Sequence, residues 1–272
     1  MRRLYTAAVL TLLTLTARAQ GGFQVQPSKL YFHEQTNGTL TPARVFVKNP
    51  GSVPMVVRAS CADWERDSLG NKRYFEPGTL PTSCCPYLQV QPETIELLPG
   101  EEKEMVVSLR PGRSAPAALH HAMLFLTQAN ERELAAAQKV TAAVIFRMQI
   151  GVHLYHIPTT ARNRSLLIDT LAAIRPTRPA NAPAPAPQIK VRVHNAGDVH
   201  AESTLRVELT NLQTAQEIKL DPVDINTLPN DRIWVTTALK EKLPKGRYLV
   251  VAILDSGAEI PLQVAELETE LE

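Results

Sequence analysis

Residues 140–158, which read VTAAVIFRMQIGVHLYHIP, decide the fold class of this chain. Side chains alternate with a period of two over this stretch, which is typical of a β-strand. The apolar parity comprises Val144, Phe146, Met148, Ile150, Val152 and Leu154. A strand of this length extends past a β-sandwich of ordinary depth. Either parity can face the core of its own sandwich, but we expect part of the strand's edge to remain free for a strand of another polypeptide.

Shorter segments with the same alternation lie on both sides of this stretch. In the first half they are Phe23–Phe32, Ala43–Lys48, Val53–Ser60, Thr94–Leu98, Glu104–Leu109 and Met123–Thr127. In the second half they are Leu166–Ile174, Gln188–Asn195, Ser203–Leu209, Ile233–Ala238 and Arg247–Leu254. Turn clusters such as Asn49-Pro50-Gly51 separate them. This spacing predicts an all-β protein with two antiparallel β-sandwich domains, residues 20–160 and 161–272, the second with an acidic tail.

The first 19 residues are predicted to be a signal peptide. Two arginines precede an apolar run from Leu4 to Leu15, and Ala17-Arg18-Ala19 supplies the small residues of a cleavage site. Cleavage after Ala19 removes three of the 29 basic residues, which leaves 26 against 27 acidic ones. A nearly neutral exported protein is not expected to bind nucleic acid. No later stretch is long and apolar enough to predict a membrane span.

The three cysteines are Cys61, Cys84 and Cys85. In an oxidising compartment Cys61 can pair with either of the other two, and the third remains free. Such a disulfide would tie the irregular stretch Trp64–Pro92 to the first sandwich.

Motifs of catalysis and of metal binding were not found in the sequence. There is no Gly-x-Ser-x-Gly nucleophile elbow and no glycine-rich phosphate loop. The pairs His120-His121 and His153/His156 have no cysteine or carboxylate neighbours at chelating spacing. We therefore expect neither an enzyme nor a bound cofactor or metal.

Several ordered segments resemble the PapD-like periplasmic chaperones of the chaperone–usher pilus pathway. They are Ser28-Lys-Leu-Tyr-Phe32, Val45-Phe-Val-Lys-Asn-Pro50, Ile95-Glu-Leu-Leu-Pro-Gly100 and Phe146–Pro158. The resemblance covers most of residues 23–158. It implies two immunoglobulin-like domains, a periplasmic location, a pilin-like subunit as partner and an outer-membrane usher as a possible second partner.

The resemblance also implies roles for particular residues. Val144, Phe146 and Met148 would donate apolar side chains to an incomplete subunit, by donor-strand complementation. Lys29 and His153 would hold the subunit's terminal carboxylate in the cleft between the domains. The family usually has lysine where this chain has His153, and Arg147 can substitute only if its side of the strand faces the cleft.

Two other interpretations remain open on the sequence. The chain can be a structural or adhesive immunoglobulin-like envelope protein without chaperone activity. Its long strand can also pair with a second copy, which would make a homodimer through the donor edge.

Overall fold

The structure is a computed structural model, and it describes residues 22–111, 118–132, 146–174, 187–239, 243–258 and 260–271. The predicted signal peptide and Val144 lie outside the described residues. No helix in these ranges is long and apolar enough to cross a membrane.

Ten strands and a short 3-10 helix occupy the first half of the chain. The strands are β1 (Gln24–Gln26), β2 (Lys29–His33), β3 (Ala43–Lys48), β4 (Met55–Arg66), β5 (Lys72–Phe75), β6 (Leu88–Gln91), β7 (Thr94–Leu97), β8 (Glu102–Leu109), β9 (His120–Gln128) and β10 (Gln149–Ile157), and the 3-10 helix is Cys85–Tyr87. One sheet has the order β1-β3-β8-β6. The other has the order β2-β10-β9-β4-β5, and β7 also pairs with β4. All these pairs are antiparallel except β2 with β10, which is parallel.

Eight further strands form a second pair of sheets. They are β11 (Leu166–Ile174), β12 (Gln188–Asn195), β13 (Ala201–Asn211), β14 (Glu217–Lys219), β15 (Val223–Thr227), β16 (Arg232–Ala238), β17 (Gly246–Asp255) and β18 (Gln263–Leu271). One sheet has the order β11-β12-β16 and the other β14-β13-β17-β18, with β15 also paired to β13.

Each pair of sheets encloses its own apolar core. In the first sandwich the alternate residues Val45 and Val47 of β3 are fully buried and pack with Leu124 and Leu154 of the facing sheet. In the second, Val191, Leu209, Val250 and Leu254 are fully buried in the same manner. The structure thus confirms the predicted all-β class with two antiparallel, immunoglobulin-like β-sandwiches.

Each sandwich contains a buried turn, and the two turns have the same hydrogen-bond pattern. In the first, the Asn49 amide donates to the carbonyls of Val53 and Leu97, at 2.8 and 3.1 Å, and its Oδ1 accepts from the Gly51 amide. In the second, Asn195 makes the same three bonds, to Val199, Thr227 and Gly197 respectively. Both asparagines are fully buried. Each turn therefore satisfies its backbone groups through one side chain, as buried polar groups require.

Strand β4 is longer than the predicted segment Val53–Ser60, because it continues through Arg66 and turns back as β5. The Asp67 carboxylate accepts from the amides of Leu69 and Asn71, both at 2.9 Å. Gly70 has φ +83°, a conformation that glycine adopts at little cost. The stretch after Trp64 is therefore a β-hairpin at its start and not an irregular loop.

The disulfide joins Cys61 of β4 to Cys85 of the 3-10 helix, with a Cα–Cα distance of 5.9 Å. Cys84 is a free, buried thiol. Its pKa is raised by burial and by the nearby Asp63 carboxylate, so it remains protonated. The cross-link anchors the segment after β5 to the first sandwich.

Candidate functional site

The predicted anchor residues Lys29 and His153 lie side by side. They are direct partners in the parallel pairing of β2 with β10, and the His153 amide donates to the Ser28 carbonyl at 2.9 Å. Both side chains point away from the core of the first sandwich, because the alternate residues Leu30 and Leu154 are buried in that core. The strand register therefore brings these two residues together on one surface.

His153 is uncharged in this environment. Its ring meets the Trp64 ring edge-on with a centroid distance of 5.0 Å, and its Nε2 lies 2.9 Å from Lys72 Nζ. Burial, together with the charges of Lys72, Arg66 and Lys29, lowers the pKa of His153 to about 3. The neutral imidazole accepts a hydrogen bond from the Lys72 ammonium.

Lys72 is the cationic residue that sequence reasoning missed. It lies on β5, opposite Arg66 of β4, and its ammonium is 5.6 Å from the centre of the Trp64 ring. Burial and the charges of Arg66 and Lys29 lower the pKa of Lys72. The β4–β5 hairpin thus places a second lysine beside Lys29, where the resemblance implied a lysine on β10.

Arg66 connects this surface to the second sandwich. Its Nη2 donates to Asn226 Oδ1 at 2.8 Å, and its Nε lies 3.5 Å from Asp231 Oδ2. Its guanidinium lies 5.1 Å from the Trp64 ring centre. The turn next to it adds a backbone bond, from the Trp234 amide to the Ser68 carbonyl at 2.8 Å. The hairpin is therefore held against both sandwiches.

A carboxylate of the second sandwich reaches the surface that bears Lys29, His153 and Lys72. We call the space between the two sandwiches at this surface the cleft. Glu202 of β13 accepts, through Oε1, hydrogen bonds from the Lys29 ammonium and from the Tyr31 hydroxyl, the latter at 3.3 Å. The hydrogen bond from Lys29 lowers the pKa of Glu202. Burial and the negative charge of Glu202 raise the pKa of Tyr31 to about 12. Lys29 is thus already paired with a carboxylate.

Aromatic rings line the floor of the cleft. The Tyr31 ring stacks on Tyr155 with a centroid distance of 5.3 Å, and Tyr155 stacks on His200 at 4.3 Å. Two open cavities of about 540 Å³ flank Glu202. One is lined by Lys29, Ser203, Thr204, Asp224, Asn226 and Asp255, and the other by Tyr31, His33, Arg162, Arg164, His200 and Ile260. A ligand group has space to approach Lys29 through the first cavity and Tyr31 through the second.

The apolar side chains on every second residue of β10 continue beyond the end of the sandwich core. Val152 and Leu154 are fully buried in the core and Ile150 is half-buried, whereas Met148 is 37% exposed and Phe146 is 67% exposed. Phe146, Arg147 and Met148 precede β10, so the prediction of strand over these three residues is wrong. The physical reason is the length of β9, the strand that pairs with β10 at this end. β9 ends at Gln128, whose amide donates to the Met148 carbonyl, so it offers no pairing partner to the residues before Met148.

One backbone edge of β10 is also unpaired at its start. Strand β9 pairs with residues 149–156, but β2 pairs only with His153–Ile157. Since backbone groups alternate in direction along a strand, those of Gln149 and Gly151 point to the side that β2 leaves open. In the described ranges no strand pairs with them on that side.

Arg147, the alternative anchor, does not reach the cleft. Its guanidinium bonds Glu131, at 2.5 Å from Nη2 and 2.6 Å from Nε. This ion pair lies at the open end of β10, several residues before His153.

No family model and no curated protein matches the chain. Among solved structures, the chain is similar to the class 5 fimbriae chaperone CfaA, with 11% identity, a TM-score of 0.48, and coverage of 91% of this chain and 99% of that one. It is also similar to the E. coli chaperone DraB, with 13% identity, a TM-score of 0.45, and coverage of 92% of this chain and 98% of that one. A third similar chain belongs to the CsuC–CsuE chaperone–tip adhesion subunit complex of Acinetobacter baumannii, with 13% identity, a TM-score of 0.44, and coverage of 79% and 89%. At these values the function must be inferred from the chain's own geometry.

Proposed function

We propose that this protein is a periplasmic chaperone that caps an incomplete β-sandwich subunit of a pilus or fimbria, here called the client, by lending it the segment at the start of β10. One observation carries the proposal. The apolar row that fills the protein's own core at Val152 and Leu154 emerges exposed at Met148 and Phe146, next to an unpaired backbone edge. An open edge with alternate apolar side chains is the form in which one chain adds a strand to another.

The exposed row is large enough to contribute to binding. Full burial of a phenylalanine or methionine side chain contributes about 1.5–3 kcal/mol. Since Phe146 is 67% exposed, its burial in a client would contribute about two-thirds of that, or about 1–2 kcal/mol. Met148 would add a smaller amount, because part of its side chain already covers Gly22. Backbone pairing along the edge would fix the register of the client.

The second element of the proposal is a carboxylate anchor made by Lys29 with Lys72. The two ammonium groups flank the uncharged His153 on the surface that faces the second sandwich. Two nearby cations bind a carboxylate more strongly than one, because each forms a charge-assisted hydrogen bond. His153, the anchor implied by the resemblance, would position Lys72 and not contact the carboxylate as a cation.

A photo-crosslinking experiment tests the strand donation. A benzophenone amino acid is placed at Phe146 in one variant and, as the control, at Phe46 of β3, an exposed aromatic residue on the other sheet. In cells of the source organism, we expect position 146 to cross-link to one pilin-like polypeptide and position 46 not to. A cross-link only to a second copy of this chain would support the homodimer interpretation and contradict the chaperone.

Substitutions then test the exposed apolar side chains of Phe146 and Met148, using the client that the cross-linking identifies. The double variant Phe146→Asp/Met148→Asp should keep the thermal stability of the parent and lose client capture, whereas Phe46→Asp should retain it. Lys72→Ala should weaken capture, with Lys103→Ala as the control, because Lys103 is an exposed lysine of the other sheet that pairs with Glu101 at 3.2 Å. Normal capture by the double aspartate variant would exclude the donor segment.

A further inference from the structure

We infer that Glu202 is an internal substitute for the client's carboxylate: it occupies Lys29 and Tyr31 in the free protein and is displaced when the client binds. The inference rests on the proposed function and adds two residues to its site. Tyr31 becomes a further carboxylate ligand, and Glu202 becomes the residue that sets the strength and selectivity of the anchor.

The geometry is that of a filled carboxylate site. One oxygen, Oε1 of Glu202, accepts from both the Lys29 ammonium and the Tyr31 hydroxyl. The two donors are two residues apart on β2, so they project from the same face of the strand. The acceptor comes from β13 of the other sandwich, 173 residues later in the chain. The first sandwich therefore supplies the donors and the second supplies the carboxylate.

The Tyr31 side chain has ring contacts in addition to its hydrogen bond with Glu202. Its ring stacks on Tyr155, and Tyr155 stacks on His200. A donor fixed by ring packing remains available to an incoming carboxylate after Glu202 leaves. A client carboxylate would give the Tyr31 hydroxyl a charged acceptor again and so restore the hydrogen bond that Glu202 gives up.

The existing ion pair is weak enough to be displaced. The side chains of Lys29 and Glu202 are 34% and 50% exposed. An ion pair at such a site changes an equilibrium constant by at most about fivefold. The cavities on both sides of Glu202 give its side chain room to move. Lys72 forms no salt bridge within the described ranges, so a client carboxylate gains a cation that Glu202 does not use.

The first test needs no client. Lys29 is acylated with an N-hydroxysuccinimide ester, and its modification rate is measured by peptide mass spectrometry in the parent, in Glu202→Gln and in Glu208→Gln. Glu208 is the matched control, since it lies on the same strand and pairs with Lys219 at 3.5 Å away from the cleft. We expect Lys29 to react at least twofold faster in Glu202→Gln only. Equal rates in all three proteins would overturn the inference.

The second test uses the C-terminal ten-residue peptide of the cross-linked client, synthesised as the free acid and as the amide. Glu202→Gln should tighten binding of the acid by up to about fivefold and leave the amide unchanged. Tyr31→Phe, which keeps the ring stack, should weaken binding of the free-acid peptide by a similar factor. Suppose that the variant Phe146→Asp/Met148→Asp, here called the donor-segment variant, no longer captures the client. If the free-acid peptide then binds the parent and Glu202→Gln with equal affinity, the inference fails and the proposed function stands. If the donor-segment variant captures the client normally, the proposed function fails.

Discussion

Replacing Arg66 by methionine is expected to lower the free energy of unfolding by about 3 kcal/mol. The Arg66 and Asp231 side chains are 9% and 14% exposed, so the substitution leaves a carboxylate in a poorly solvated site. Removing one partner of a buried ion pair costs about 3–5 kcal/mol. We place the effect at the lower end, because Asp231 can take up a proton and because its backbone bond from the Leu228 amide, at 2.8 Å, remains.

The chain contains two tryptophans, and each reports on one sandwich. Trp64 lies on β4 and Trp234 on β16, so single-tryptophan variants follow urea unfolding of the two halves separately. In the parent we expect the two transitions to coincide, since the hairpin bonds both sandwiches. In Arg66→Met we expect them to separate.

Arg192→Met is the matched control for this prediction. Arg192 also lies over a tryptophan, 5.8 Å from the Trp234 ring centre, and beside an acid, 4.0 Å from Asp169, but its side chain is 36% exposed and its contacts stay within one sandwich. We expect a loss of less than about 1 kcal/mol. A similarly small loss in Arg66→Met would refute the argument that the pair between sandwiches is desolvated.

The pH dependence supplies an independent check of the same pair. Burial raises the pKa of Asp231, so the folded state binds this proton more tightly than the unfolded state does. The stability contributed by the protonated carboxyl is complete below the unfolded pKa and is lost as pH rises through the folded pKa. Arg66→Met removes the opposing cation, so we expect the loss to extend to higher pH than in the parent. Asp231→Asn in the same background should abolish the difference.

Three further predictions concern the first sandwich. Replacing Cys61 and Cys85 by alanine should lower the free energy of unfolding by about 3 kcal/mol, the loop-closure value for a separation of 24 residues, measured by urea unfolding. His153→Gln should flatten the fall in stability between pH 6.5 and pH 4, because the unfolded imidazole takes up a proton there while the folded one, with a pKa of about 3, does not. Gly151→Ala should cost about 1–3 kcal/mol in thermal unfolding, since a Cβ at this position would lie 2.7 Å from Met123 Sδ.

Each of these has its own contradicting result. For the disulfide, it is a stability unchanged by reductant or by the double alanine variant. For His153, it is a parallel pH profile of the parent and the glutamine variant. For Gly151, the clash is disproved if Gly151→Ala costs as much stability in a Met123→Ala background as it does in the parent.

Local patterns were sufficient to predict the fold class. Alternation identified most strands because one face of each strand is buried in a sandwich core and the other is not. It overestimated the strand before Gln149, since a pattern describes which face would be buried and does not supply a pairing partner. It underestimated β4, where Trp64 and Arg66 face the cleft and break the simple apolar–polar contrast.

The site was only partly visible in the sequence. The resemblance implied that Lys29 and His153 act together, and they are neighbours in the strand register. Lys72 lies 81 residues before His153 and is brought to it by the β4–β5 hairpin. Glu202 is still more distant from its partners. Contacts of this kind depend on how two separately folded sandwiches meet, and no local propensity encodes that. The choice between Cys84 and Cys85 likewise depended on which of two adjacent side chains the 3-10 helix directs toward β4.

The matching turns around Asn49 and Asn195 show which strands of the two sandwiches correspond. They equate β3–β4 with β12–β13, and by the same pairing order β9–β10 with β17–β18. By this correspondence, the hairpin that bears Lys72 matches β13–β14, which ends in Glu217–Lys219. What the halves have in common is scaffolding, and what distinguishes the first from the second is the part of the molecule that we propose to bind the client.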